Sequence, residues 1–422
     1  MFKIQDFRQN FTSGALVSFI ALPLCIAIAI ASGFPVLSGV ITAIIGGLLV
    51  SQISGSNLTI NGPAAGMIVV MADSVQRLGG DDIFLGYKLT LGAVVLASIM
   101  QIAVSATKLP EIMRKFPEIV IRGMMAAIGL IVVLKQIFTM FGYKIPKDSM
   151  IKLVTDVPFA LLGAQYETLF IGIFVITFIY FWNTKLSKVR ILKSIPVYLV
   201  VIVFGSLLAF VLNIAVNQHF IMQSYAVAPS SLFLNIKTSI FRSFVFPEFT
   251  GMMTFNFALS VLTIFAVGSV ETILSAIAVD KLDPQRRVSN LKKDLRAVGI
   301  GNLICGMIGG LPMIAEVVRS SASIKYGATN KWSNFFHGVL LLVLVGVCGG
   351  ILKFIPMCVL AAMLILIGYN LINLPLLCNM YRESKFNIII VICVVFFAIY
   401  LDLLVGVLFG LMLFFIRKKC VR

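Results

Sequence analysis

Continuous apolar runs of about 17–25 residues recur along the whole chain, each long enough to cross a hydrocarbon layer roughly 30 Å thick. Lipid offers backbone N–H and C=O groups no partner, so a spanning segment must be a helix or part of a closed barrel. The runs are unbroken rather than alternating, which selects helices. Composition agrees: 60% of the 422 residues are hydrophobic and 12% charged, against roughly 45–50% and about 25% in soluble domains. The chain reads as an all-α polytopic membrane protein. Its first run, Gly14 to Ala31, is followed closely by another, so it reads as a first membrane helix rather than a cleaved leader.

Apolar runs set against polar breaks give about fourteen segments. Seven start near residues 14, 36, 63, 86, 117, 165 and 195, and seven near 251, 292, 312, 333, 354, 385 and 402. An even number puts both ends of the chain on one side. With that side called inside, the inner segments carry 23 of the 34 Lys and Arg, the outer segments carry nine, and Arg122 and Arg319 fall within helices. Cytoplasmic loops collect Lys and Arg. Both termini are therefore expected in the cytoplasm, beneath a cell inner (plasma) membrane. The net charge of +17 is then a topology signal, and nucleic acid is not needed to explain it. The longest non-spanning stretches, Gly142–Pro158 and Asn217–Pro247, are expected outside and are too short for a second domain.

Two segments break the pattern. In Gly62-Pro63-Ala64-Ala65-Gly66 and Leu311-Pro312-Met313-Ile314-Ala315, a proline follows a polar or Gly-rich lead and small residues come next. Proline suits the first turn of a helix, where its missing N–H has no partner anyway. Each segment is expected to start a half-helix inside the membrane. They are third and tenth in order, equivalent places in two seven-segment halves, and an odd count per half inverts the second relative to the first. Paired interrupted segments of this kind point to a transporter's binding site. Their free N–H groups and positive dipole ends favour an anion, and Arg319 adds a fixed positive charge.

An ionisable side chain deep in a bilayer costs about 2.5–3.5 kcal/mol on insertion scales, so it is rarely idle. Glu271 stands beside Thr272, with Ser275 one turn on and on the same face. These oxygens suit a proton or a small cation. Glu316 and Arg319 are three apart and either pair with each other or leave Glu316 to face Glu271. Arg122 is expected to snorkel to the inner surface. His219 and His337 are far apart and make no zinc site. Seven cysteines without a CxxC spacing read as packing residues. No GxxxxGK[ST] loop is present, which excludes the ATP-hydrolysing part of a pump. No enzyme chemistry is indicated, and no cofactor beyond Na⁺ or H⁺ as a coupling ion.

The stretches Leu22–Leu49, "INGPAAG" (Ile60–Gly66), "SVETILSAIAVDKL" (Ser269–Leu282), "GNLICGMIGGLP" and "VRSSASIKYGATNKW" (within Gly301–Trp332) resemble the SulP (solute carrier 26) anion transporters, in order and at matching spacings. The resemblance implies a uracil-transporter-like 7+7 inverted repeat. It implies a core domain, about 12–116 and 250–350, and a gate domain, about 117–215 and 351–418. By position it implies that Pro63, Ala64, Ala65, Gly66, Pro312, Val318, Arg319 and Ser320 surround the anion, with Leu24 and Ile28 of the first helix. It implies proton or Na⁺ coupling at Glu271, Thr272 and Ser275, with Ala315, Glu316 and Val317 nearby. The chain departs from the family in three ways. It reads "PVLSGV" where a tyrosine-containing segment is usual, it has Glu316 where relatives carry a small or hydroxylated residue, and no STAS domain is expected after the last helix.

The function expected is cation- or proton-coupled secondary transport of a small inorganic anion, bicarbonate or sulfate, by elevator-type alternating access. A passive anion channel of the same fold and a dicarboxylate or nucleobase-type permease are the alternatives. The expected partners are the anion and the lipid bilayer, and a homodimer stays open as an assembly.

Overall fold

A computed structural model describes residues 4–114, 117–143, 150–186, 197–212, 244–352, 355–401 and 403–420. His219, most of the stretch 217–247, and Lys3, Lys115, Lys188, Arg190, Lys193 and Arg422 of the inner basic set lie outside them, as do the side chains of Cys348 and Cys420. Among the described residues, six helices are long and apolar enough to cross a membrane: Asp6–Ala31, Val36–Ile53, Ile83–Ser105, Tyr166–Thr184, Phe255–Leu282 and Met357–Met380.

The chain folds as two compact units, one of residues 1–114 and 177–356, the other of 115–176 and 357–422. Helix Val197–Val211 belongs to the first unit, where it packs on the first helix. In the second unit, helix Glu118–Met140 packs along Met357–Ile372 and Lys385–Tyr400. Arg122 there pairs with Glu118 at 3.0 Å, one turn back on its own helix.

The first unit carries both interrupted segments. Its relevant elements are α1 (Ile4–Ala31), α2 (Val36–Ile45), β1 (Ile60–Pro63), α3 (Ile68–Gly79), α4 (Ile83–Ser105), α5 (Phe255–Leu282), α6 (Leu291–Ile308), β2 (Met313–Glu316), α7 (Val317–Lys325) and α8 (Trp332–Leu352). Neither proline starts a helix, which corrects the expectation. Pro63 is the last residue of β1, with a short 3₁₀ turn, Ala65–Met67, before α3, and Pro312 precedes β2. The strands pair antiparallel, Ile60 with Glu316, Asn61 with Ala315, Gly62 with Ile314 and Pro63 with Met313. The physical reason is the one that selects helices elsewhere: extended backbone at this depth must find a partner, and each interrupted segment supplies it for the other. All eight strand residues are buried.

At the loop after α5, Asp283 accepts from the amides of Gln285 and Arg287 and from Arg287 Nε at 2.7 Å. Arg287 also donates to the Thr329 carbonyl at 2.9 Å, joining this loop to the one after α7. Burial raises the Asp283 carboxyl, but the Arg287 guanidinium and the two amides outweigh it and hold it below its ordinary value. A depressed folded pKa stabilises above the unfolded value, and the contribution is lost as pH falls through the folded value. D283N is expected to lose about 1–3 kcal/mol at neutral pH. Thermal unfolding in detergent should show the gap from the parent closing as the buffer is taken below the ordinary carboxylate pKa of about 4.

Candidate functional site

The paired strands are held by side chains on every side. Ser320 Oγ accepts from the Ile60 amide at 2.8 Å and donates to the Glu316 carbonyl at 2.5 Å, so one hydroxyl ties α7 to both strands. Asn334 of α8 donates to the Thr59 carbonyl at 3.1 Å and to Asn61 Oδ1 at 3.2 Å. Gly309 ends α6 at φ +92°, a left-handed conformation glycine adopts without strain, and so turns the chain toward Pro312. Tyr87 of α4 donates to the Gly309 carbonyl at 2.8 Å and fixes that turn.

The strand pair sets the two helix starts apart. Because β1 and β2 run antiparallel, the turn at Ala65 leaves one end of the pair and α7 leaves the other, about 10 Å away for a four-residue strand at about 3.3 Å per residue. Helix geometry gives the first N–H groups of each no intrahelical partner. Two positive helix ends therefore flank one small sheet.

Arg319 lies within this frame and has no exposed surface. Its Nη2 donates to the Pro63 carbonyl at 2.7 Å, and its Nε stands 3.6 Å from Glu316 Oε2. Its Nη1 packs against Gly62, where a Cβ would come within 2.5 Å of it. Glu316 caps α7, accepting from the Arg319 amide at 3.1 Å. Of the two expected arrangements the structure shows the pairing of Glu316 with Arg319, and Glu271 lies within electrostatic reach of that pair.

Glu271 on α5 is buried against the other helix start. A Cβ at Gly66 would lie 1.6 Å from its Oε1, so glycine is what admits the carboxylate there. Its Oε2 is buried without a hydrogen-bond partner. A buried carboxylate with one oxygen free can hold a proton or help bind a hard cation.

The remaining expected residues divide. Pro63, Ala64, Ala65, Gly66, Pro312 and Ala315 are buried in or beside the strand pair. Leu24 and Ile28 are buried on α1, flanking Cys25, which lies within electrostatic reach of Arg319 and Glu316. Ser320 is consumed by the backbone, and Thr272 by the Gly268 carbonyl at 2.7 Å. Ser275 and Val317 are half-buried, and Val318 is exposed. Sequence reasoning missed Asn302, which accepts from the Met313 amide of β2, and Gln101, which accepts from Asn302. Their signal was an amide side chain inside an apolar run.

A family model described as "Sulfate permease family" matches residues 7–394. The chain is 26% identical to "Putative sulfate transporter YvdB" of Bacillus subtilis over 99% of its length and 75% of that protein's. It is 25% identical to bicarbonate transporter BicA of Picosynechococcus over 96% of its length and 68% of that protein's. Its structure superposes on the transmembrane domain of a cyanobacterial BicA with TM-score 0.79 at 22% identity, over 97% of this chain and 98% of that one. Murine Slc26a9, an anion transporter solved in an inward-facing state, gives TM-score 0.83 at 16% identity, over 99% of this chain and 69% of that one. The structural likeness shows a shared, mostly helical transmembrane fold.

Proposed function

The chain belongs to the sulfate permease family of integral multi-pass membrane proteins, and from that premise we propose that it is a secondary active transporter of a small inorganic anion. The observation that carries this reading is the juxtaposition at the strand pair: two positive helix ends and a buried guanidinium in one frame, with a carboxylate on the first helix turn. The guanidinium favours a negative charge at the helix ends through its field and through the strand it holds. The Oε2 of Glu271 is the coupling group for a proton or Na⁺. Alternating access is of elevator type, the unit that bears the site carrying the anion across. Both termini are cytoplasmic.

Bicarbonate is favoured over sulfate, because one arginine and a lining of small apolar residues suit a compact monoanion. The names of relatives support both anions.

The test is uptake into proteoliposomes of bicarbonate, sulfate and fumarate under separate Na⁺ and proton gradients. At least one inorganic anion is expected to accumulate, driven by one of the two gradients. E271Q is expected to remove the dependence on that gradient. Conductance without accumulation would mean a channel, and uptake of none of the three would end the reading.

A further inference from the structure

The register places Pro63 opposite Met313. Proline has no N–H and the Met313 amide donates to Asn302 rather than across the sheet, so this is a non-hydrogen-bonded pair that exchanges no ladder bond. It is the end of the sheet next to the helix turn that receives Glu271, and side chains rather than ladder bonds hold it. Two side chains bind the backbone here. Arg319 Nη2 takes the Pro63 carbonyl at 2.7 Å, and Asn302 Oδ1 of α6 accepts from the Met313 amide at 2.6 Å.

Asn302 does not stand alone. Its Nδ2 donates to Gln101 Oε1 of α4 at 2.9 Å, and Gln101 Nε2 faces Ser269 Oγ of α5 at a longer 3.4 Å. Ser269 is two residues before Glu271. The two amides are 2% and 3% exposed, and every polar atom of both is partnered. The bonds fix the direction of the relay. Asn302 must present its oxygen to Met313, so its NH₂ must meet an oxygen, and Gln101 supplies one. A network satisfied at each member holds one arrangement, whereas an amide with a partner removed can turn over.

We propose that Asn302 is a positioning residue for anion transport, oriented by Gln101. It fixes β2 at the end where no ladder bond crosses the terminal pair, so that the Pro63 carbonyl stays on Arg319 and the turn at Ala65–Gly66 stays against Glu271. This rests on the transport reading above for its effect on uptake, but not for its effect on the strand.

The test compares the parent with N302L, N302D and Q101L in lipid nanodiscs by hydrogen exchange of the segment 310–318, and in proteoliposomes by bicarbonate and sulfate uptake. N302L is expected to speed exchange of that segment about tenfold or more. It should raise the KM of the transported anion at least about fivefold, with Vmax per folded protein within about twofold. Q101L should shift both in the same direction by less. N302D still accepts from the Met313 amide once Gln101 turns over to donate to it, so its segment should stay protected as in the parent. Exchange in N302L as slow as in the parent, or in N302D as fast as in N302L, overturns the proposal. So does a KM unchanged in both N302L and Q101L. If the parent takes up neither anion, the transport reading fails, and the exchange measurement still decides whether Asn302 positions the strand.

Discussion

R319A is expected to reduce anion uptake more than about a hundredfold and to lower the melting temperature of the purified protein. Two causes act together. The guanidinium is fully buried and binds the Pro63 carbonyl, so its removal leaves a buried acceptor unpaired. It also strands the Glu316 carboxylate, which is 9% exposed, without its counter-charge. Removing one partner of a buried ion pair costs about 3–5 kcal/mol, more than the pair itself contributes. The two effects separate in the double variant. R319A/E316Q carries no stranded charge and should regain most of the lost stability, measured by thermal unfolding, without regaining uptake. R319K keeps the charge but not the planar fork that reaches Pro63 and Glu316 together. It should fold and transport with a KM raised about tenfold. Uptake by R319A/E316Q with a KM equal to the parent's would remove Arg319 from the anion's surroundings.

The convergence of the two interrupted segments was legible because proline, glycine and small residues are rare together inside apolar runs, and their matched places called for a common cause. The way they converge was not legible. "INGP" and "MIAE" are four residues each, too short for an alternating pattern, and they pair across about 250 residues of chain. Nothing local in either stretch favours a strand. Pairing is imposed by the surroundings, which leave extended backbone no other partner. Proline beside small residues therefore reads as a helix start, the commoner use of that residue.

Charge was more legible than hydroxyls and amides. Glu271, Glu316 and Arg319 stand out because ionisable groups in apolar runs are costly, and all three meet the strand pair or a helix start. Ser320 and Thr272 were expected to face ions, yet their hydroxyls bind the backbone nearby. A serine or threonine on a helix can return to a carbonyl of its own turn, and no sequence signal separates that use from ligand binding. Asn302 and Gln101 show the converse. Their partners are far away in sequence, and only the fold brings α4, α5, α6 and β2 to one point.

G66A should uncouple transport while leaving the fold intact. The added methyl would meet Glu271 Oε1 at 1.6 Å, Cδ at 2.4 Å and Oε2 at 2.5 Å, so the carboxylate must leave its place. The group displaced is the tip of a flexible side chain, not backbone, and Gly66 is not among the residues with positive φ, so alanine brings no backbone strain. Membrane level and melting temperature are expected close to the parent's. Uptake driven by the coupling gradient is expected to fall about tenfold or more and to lose its dependence on that gradient, as in E271Q. A double-mutant cycle decides whether the carboxylate is the reason. If G66A acts only by moving Glu271, then G66A/E271Q is no worse than E271Q alone, since glutamine at 271 has already removed the charge that the methyl displaces. If the two losses multiply, Gly66 serves the anion directly through its bare Cα and amide, and coupling at Glu271 is a separate matter.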